Sequence, residues 1–476
     1  VADVVVVGAG VGGLSAAIYA RLKGHQVLVL EAGETVGGKA AGLVEARFKL
    51  DPGPSIIILT KIYDQLFRDA GRDPDDYVSF TRLDPISRVY FGEQVIDLPD
   101  SQKEVEKLIQ DLAPQDVPGF MDLMGRLDRV QDHIDKSVFK KPFLKPLDLV
   151  NRHLIATGLQ FDVRATYKEM VDRWFSSPLL RAFFYGFPSY GGQSFDSKAP
   201  GALMIPYLMI RQGVFYPKGG VAAIPRAMLR LAKELGVEFQ TSAKVTAVET
   251  RGDRVIAVMV GDQRVQCDVV ISNVDRLTMR EMIGHKVEVP PSLSYFTMHW
   301  GVKSEVKGLL HHTLVIPDAY EAGFDELYRQ DSFPKDPIVY LNATNLEDPE
   351  TAPPGCTNLF AVVTSPSENG IIDWEADLPE FQRRTMRTLE AKGLAPPAGD
   401  IVFTRVQTPR YFAERHGNYK GSLYGPIEQH RHLGGLFPLP NRDENFRNLL
   451  YCGGSVQPGA GLPMVTLSGK FAADLI

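Results

Sequence analysis

Apolar residues gather in short runs near both ends of the chain and at helical spacing through its middle. Residues 4–7 and 27–30 are apolar runs separated by a small-residue stretch, which reads as buried strand, helix, buried strand. A loop then leads into Phe48-Lys49-Leu50-Asp51-Pro52-Gly53-Pro54-Ser55, whose Pro and Gly positions predict a turn that brings backbone close to a ligand. Between Ile62 and Leu208 the pattern lengthens into helices, at Gln102–Leu112, 118–135 and 177–187, with strands near 89–98. Residues 213–220 break it with Gly and Pro. An amphipathic helix is predicted over 223–235, followed by strands at 237–240, 244–250, 255–260 and 265–272. Residues 290–302, 338–341 and 359–364 read as strands of a different sheet that floors a cavity. The chain closes on a strand, a glycine turn and a helix over 448–476, without internal repeats.

The first run leads directly into Gly8-Ala9-Gly10-Val11-Gly12-Gly13, and the second ends on Glu31, 18 residues past the last glycine. In that setting Gly8 allows a tight turn, Gly10 lets backbone approach a pyrophosphate, and Gly13 permits close helix–strand packing. The pyrophosphate is expected on the N-terminus of the helix that opens near Gly12. Glu31 accepts from adenosine ribose hydroxyls and repels a 2′-phosphate, so NADP is disfavoured. Gly37-Gly38-Lys39 then decides between nicotinamide and flavin, because a second glycine pair followed by a cation suits a second pass of backbone beside the longer FAD chain. The C-terminal turn, with Gly454, Gly461, Pro463 and Met464, supplies another helix N-terminus for phosphate or for the polar edge of a flavin.

At 476 residues the chain calls for two or three domains, and a net charge of −6 with 23% charged residues gives no basic excess for nucleic acid. Cys267, Cys356 and Cys452 are far apart and odd in number, which argues against a disulfide scaffold and for a reducing, cytoplasmic setting. No apolar stretch makes a convincing spanning helix, so membrane contact is expected to be peripheral. The place for it is 137–161, where Lys140, Lys141 and Lys145 alternate with Phe139, Phe143, Leu147, Leu149, Val150, Leu154 and Ile155. Such a stretch suits a bilayer interface or, equally, a helix packed on the protein with a solvated basic face.

The chain resembles the bacterial carotenoid (phytoene) desaturase-like flavoproteins of the amine-oxidase-like FAD superfamily, over nearly its whole length. Beyond the shared N-terminal block, the resemblance rests on Asp51-Pro-Gly53-Pro54-Ser55, Tyr190-Gly191-Gly192, 213–220 with its Tyr216-Pro-Lys-Gly-Gly, Ser272-Asn273-Val-Asp275, 291–294, His311-His312 and Pro458-Gly459-Ala-Gly461-Leu-Pro463-Met464. It departs at Ser194-Phe195, where many members have Ser-Pro, and at the added Gln193. The resemblance implies an α/β fold: a Rossmann-like FAD-binding domain from 1–60, 214–285 and 440–476, a mixed-sheet substrate domain from 86–100 and 286–439, and a mainly helical, membrane-associating region over 101–213. It also implies non-covalent FAD, held in addition by Val245 and Asn273, although Cys452-Gly453-Gly454 leaves a covalent flavin to be tested.

The implied reaction is desaturation of a long isoprenoid, a C30 or C40 carotenoid, by hydride transfer to flavin N5, with quinone or oxygen as the electron acceptor. A squalene-type or hydroxylated isoprenoid substrate, an isomerase or saturase on the same scaffold, and a non-enzymatic carotenoid carrier are the other readings. An intact flavin site argues against the carrier. His299, Asp275, Tyr216 and Arg211 are conceivable proton acceptors, but the catalytic base is unassigned. His311-His312 are too close for a helical i, i+4 ligand pair and no third ligand is evident, so no metal is expected. Asn342-Ala-Thr344 matches a glycosylation sequon, which without an export signal is incidental.

Overall fold

The computed structural model describes residues 1–162, 164–427 and 437–476; residues 428–436, inside the expected substrate domain, lie outside that description. The first apolar run is strand β1 (Asp3–Val7), the small-residue stretch is helix α1 (Val11–Leu22), and the second run is strand β2 (Gln26–Leu30). They form the centre of a five-stranded parallel sheet, in the order Leu449–Tyr451, Val269–Ser272, β1, β2, Glu238–Gln240. Strands buried on both faces need continuous apolar runs, and Val4–Val7 are buried throughout.

Helix α1 is buried from Val11 to Ala20 because the C-terminal helix, Leu462–Asp474, lies against it. A side chain at Gly469 would overlap the Gly12 carbonyl oxygen, and Ser15 Oγ donates to the Thr466 carbonyl at 2.6 Å. The strand expected over 265–272 is two strands in two sheets. Gln263–Gln266 joins Val245–Arg251 and Arg254–Val260 in an antiparallel sheet, whereas Val269–Ser272 enters the parallel one. Asp268 makes the transfer: its backbone N–H donates to the Asp3 carbonyl, and its carboxylate accepts from the Asp3 N–H, both at 2.9 Å.

The second large sheet has seven strands in the order Ile401–Gln407, Ser294–Val302, Thr357–Ser365, Val339–Asn342, His312–Ile316, Ser87–Phe91, Gln94–Leu98, antiparallel except between His312–Ile316 and Ser87–Phe91. One face packs Phe296, Met298, Trp300, Leu341 and Val363 into a core with Phe381 and Leu389 of helix Leu378–Glu390. The other face is open to a cavity. Helices Gln102–Leu112, Val117–Asp135, Tyr167–Trp174, Pro178–Tyr185 and Met204–Gln212 share a separate core around Phe120, Leu127, Phe175, Tyr185 and Leu208. The helix expected over 177–187 stops at Tyr185, and a tighter turn, Phe187–Gly191, continues the chain.

The basic and apolar stretch at 137–161 contains a tight helical turn, Pro146–Leu149, and a short α-helix, Arg152–Gly158. Its Leu147, Val150, Ile155 and Leu159 project into solvent, with Leu147 75% and Leu159 77% exposed. Among the described residues no helix is long and apolar enough to cross a membrane.

Candidate functional site

A cavity of about 1150 Å³ runs from the glycine turn after β1 to the open face of the seven-stranded sheet. Every expected cofactor contact except Gly13 lines it: the first glycine turn and Glu31, then 38–39, 53–55, Val245, Asn273 and the C-terminal turn. Gly13 sits one layer back. A side chain there would overlap the Gly8 carbonyl oxygen, so its role is to let α1 press on β1.

Crowding explains Gly10, Gly12, Gly53 and Gly453, whereas Gly8 and Gly461 are needed for their positive φ, 95° and 100°. Asn273 Oδ1 lies 2.5 Å from where a Cβ at Gly10 would stand, and Asn273 Nδ2 lies 2.8 Å from the same point at Gly12 and at Gly453. Asn273 Nδ2 donates to the Cys452 carbonyl at 3.2 Å, which ties the strand ends Ser272 and Tyr451 together beside the turn. A side chain at Gly53 would overlap the Lys39 carbonyl. Glu31 accepts from the Ala9 N–H at 2.7 Å and from the Gly33 N–H at 2.8 Å. Its carboxylate is thus fixed at the end of β2 with lone pairs to spare.

Two helices aim their N-termini at this cavity, α1 from Gly10 and Leu462–Asp474 from Gly461. Neither has a side-chain cap or an acidic residue in its first turn. Uncapped N–H groups on a positive dipole end are suited to phosphate oxygens. The residues present therefore fit a dinucleotide: bare backbone at Gly8–Gly12, a fixed acid at Glu31, and a second helix end further along. Lys39 is buried, its ammonium donating to Asn418 Oδ1 at 3.0 Å, and burial pulls its pKa down against the attraction of Asp275.

The sheet face adds two cross-strand rows. Thr297, Val362, Tyr340 and Leu314 are mutual neighbours across four strands and all line the cavity. The next row is His299, Phe360, Asn342 and His312. Phe139, Phe183, Ile205, Leu208 and Phe324 close the cavity from the helical side.

None of the four conceivable proton acceptors lines this cavity. His299 is stacked on Phe360 with ring centroids 4.1 Å apart and both nitrogens unpartnered, and burial lowers its pKa to about 3. Asp275 caps helix Arg276–Met282 through the Leu277 N–H at 2.9 Å, and burial raises its carboxyl to about 6. Tyr216 donates to Asp348, and Arg211 pairs with Asp128 at the surface. Cys452 is buried in the core beneath the parallel sheet, away from the cavity, and burial raises its thiol pKa.

Sequence reasoning missed Tyr340, Tyr295 and Tyr424 on the cavity wall. Tyr340 Oη lies 2.8 Å from Ser55 Oγ and 2.6 Å from His312 Nδ1, and Tyr424 Oη donates to Tyr295 Oη at 2.7 Å. Alternation along 338–342 places Tyr340 opposite the buried Leu341, a signal legible only once the inward face is known.

The model of the family described as flavin containing amine oxidoreductase matches residues 11–476. The chain belongs to that family. Its cofactor is FAD. Curated relatives cover it almost completely: 4,4'-diapolycopene oxygenase of Methylomonas sp is 31% identical over 99% of this chain and 97% of its own length. The 4,4'-diaponeurosporene oxygenase of Staphylococcus haemolyticus (strain JCSC1435) is 29% identical over 99% and 96%. Among solved structures, an oxidoreductase from Methanosarcina mazei superposes with a TM-score of 0.67 at 15% identity, covering 98% of each chain. Putrescine oxidase bound to putrescine gives 0.63 at 15% identity over 99% and 98%. Both share the amine-oxidase-like fold.

Proposed function

We propose that this family member oxidises a long isoprenoid polyene of the carotenoid class, C30 or C40. The observation that carries the reading is one continuous cavity that joins uncapped helix ends and glycine turns to a long wall of apolar side chains. Oxygenation is the first reading, supported by the names of the two oxygenases that match over nearly their whole length. Desaturation is the second, supported by the resemblance of 51–55 and 458–464 to the desaturase motifs.

In this reading Gly8, Gly10, Glu31, Gly38, Lys39, Asn273, Val245, Gly454 and Gly461 hold FAD non-covalently, with Gly53, Pro54, Ser55, Pro463 and Met464 beside its ring system. When bound, the flavin supplies the two-electron chemistry. The chain's own residues position the substrate. A polyene offers no polar handle, so Phe139, Phe183, Ile205, Leu208, Leu314 and Phe324 bind it by burial, at about 25 cal/mol for each Å² of apolar surface, and shut water out.

The substrate is a membrane lipid in this reading, and the exposed Leu147, Val150, Ile155 and Leu159 dock the protein on the cytoplasmic face of the bilayer. Their segment continues from Val138 and Phe139 on the cavity wall, which gives the polyene a short way in. Quinone or oxygen takes the electrons away.

The test is anaerobic incubation of FAD-loaded protein in liposomes with C30 and C40 polyenes, with and without hydroxyl ends, then readmission of air and product mass analysis. A product that has gained oxygen supports the first reading, and one two hydrogens lighter supports the second. An isomer of unchanged mass without flavin bleaching points to an isomerase. No reaction with any polyene refutes the proposal.

A further inference from the structure

The cavity wall carries a hydrogen-bonded chain that binding a pure hydrocarbon does not require. Ser55 and Tyr340 line the cavity, Ser55 Oγ lies 2.8 Å from Tyr340 Oη, and Tyr340 Oη lies 2.6 Å from His312 Nδ1. His312 is buried behind them with Nε2 unpartnered, and His311 beside it leaves Nδ1 unpartnered, the two rings perpendicular with centroids 4.5 Å apart. The Tyr216 ring lies 5.0 Å from His311, and its hydroxyl donates to Asp348 at 3.3 Å, near the surface. The neighbouring Tyr424–Tyr295 pair carries no such base. A buried hydroxyl chain ending on imidazole is a means of moving a proton, and buried polar groups are costly to keep for any lesser purpose.

We propose that Ser55, Tyr340 and His312 form a relay that takes the hydroxyl proton from a polyene with a terminal alcohol as that alcohol becomes an aldehyde. This rests on the polyene reading above and narrows its substrate to one oxygenated at the reacting end. The carbinol C–H and O–H bonds break and the second C–O bond forms. FAD, when bound, would supply the two-electron oxidant that accepts the carbinol hydride. The proton passes from substrate oxygen to Ser55 Oγ, the Ser55 proton to Tyr340 Oη, and the Tyr340 proton to His312 Nδ1. Neutral His312 becomes imidazolium, and the reversed chain then donates from Ser55 to the new carbonyl. Burial keeps both histidines neutral at rest, His311 with a pKa near 3, so His312 Nδ1 is free to accept, and the proton returns along the same chain when product is exchanged. Ser55 is the catalytic contact; Tyr340 and His312 act through it.

The test uses FAD-loaded protein with an acyclic C30 polyene aldehyde and the matching alcohol. Resonance Raman reads the carbonyl stretch of the bound aldehyde, and anaerobic stopped flow reads flavin bleaching by the alcohol. The expected result is a carbonyl frequency below its value in hexane, returned to that value in Ser55→Ala and moved toward it in Tyr340→Phe and His312→Gln. Alcohol oxidation should slow by about a hundredfold in Tyr340→Phe, the scale of a lost general base. An unshifted carbonyl in the parent protein, or the same shift and rate in all three variants, overturns the relay. Oxidation of hydrocarbon polyenes with no reaction of the alcohol overturns the relay and leaves the polyene reading standing. Failure with every polyene removes both.

Discussion

Asp275 offers a test whose size follows from the structure. Its carboxyl is buried where helix Arg276–Met282 begins, accepts from the Leu277 N–H at 2.9 Å, and has its pKa raised from 3.8 to about 6, burial outweighing the attraction of Lys39. A group that holds its proton more tightly in the folded chain costs nothing while both states are protonated, below about pH 3.8. Its cost grows as pH rises toward 6 and is constant beyond. A displacement of that extent is worth about 3 kcal/mol above pH 6.5 and less than about 1 kcal/mol at pH 4. Asp275→Asn keeps a capping oxygen for Leu277 and removes the titration. With an unfolding entropy of about 1 kcal/mol/K for a chain of 476 residues, the variant should melt about 3 °C above the parent at pH 7.5 and within about 1 °C of it at pH 4. The assay is a thermal melt of both cofactor-free proteins at the two pH values. An equal difference at both, or a less stable variant at pH 7.5, refutes the argument.

Gly13→Ala forces a methyl onto the Gly8 carbonyl, so the purified protein should carry little FAD by its visible absorbance; full occupancy would contradict the packing role. Glu31→Ala strands the Ala9 and Gly33 N–H groups and should weaken FAD binding by at least about tenfold, the scale of one charge-assisted hydrogen bond, as titrated by flavin fluorescence. His299 and His311 have pKa values lowered by burial to about 3. Their stability contribution, present above pH 6.5, drains as pH falls, by about 1.4 kcal/mol per pH unit for each. His299→Leu should lessen that slope in urea midpoints taken between pH 6.5 and 4.5. Leu147→Asp with Leu159→Asp should abolish flotation with phospholipid vesicles while leaving FAD content intact; undiminished flotation would place membrane contact elsewhere.

The β1–α1–β2 unit was legible because its signals are local. Gly8 through Gly13 and Glu31 lie within one strand–helix–strand unit, and their spacing is a sequence signal even though only Gly13 answers to a neighbour inside it, the Gly8 carbonyl, while Gly10 and Gly12 answer to Asn273. Helix Gln102–Leu112 was likewise legible, starting at its Ser101 cap, which accepts from the Glu104 N–H. The relay was not legible. Ser55 and Tyr340 are 285 positions apart, and Tyr340 meets His312 only through the antiparallel register of His312–Ile316 with Val339–Asn342. His311-His312 read as a motif without a role because the sequence does not show which ring meets Tyr340. The division of 265–272 between two sheets was hidden for the same reason: its apolar residues suit either sheet, and pairing of Asp268 with Asp3 decides the break.

The embrace of α1 by Leu462–Asp474 sets the order of events during synthesis. Helix α1 completes its contact, and the parallel sheet gains Leu449–Tyr451 beside Val269–Ser272, only after the much later segment 449–474 has been made. The cavity's glycine turns are thus assembled from an early and a late segment of synthesis, so flavin loading should wait for residues 449–474. A chain arrested before residue 449 should leave the ribosome colourless, dependent on chaperones to shield its unmatched apolar helix.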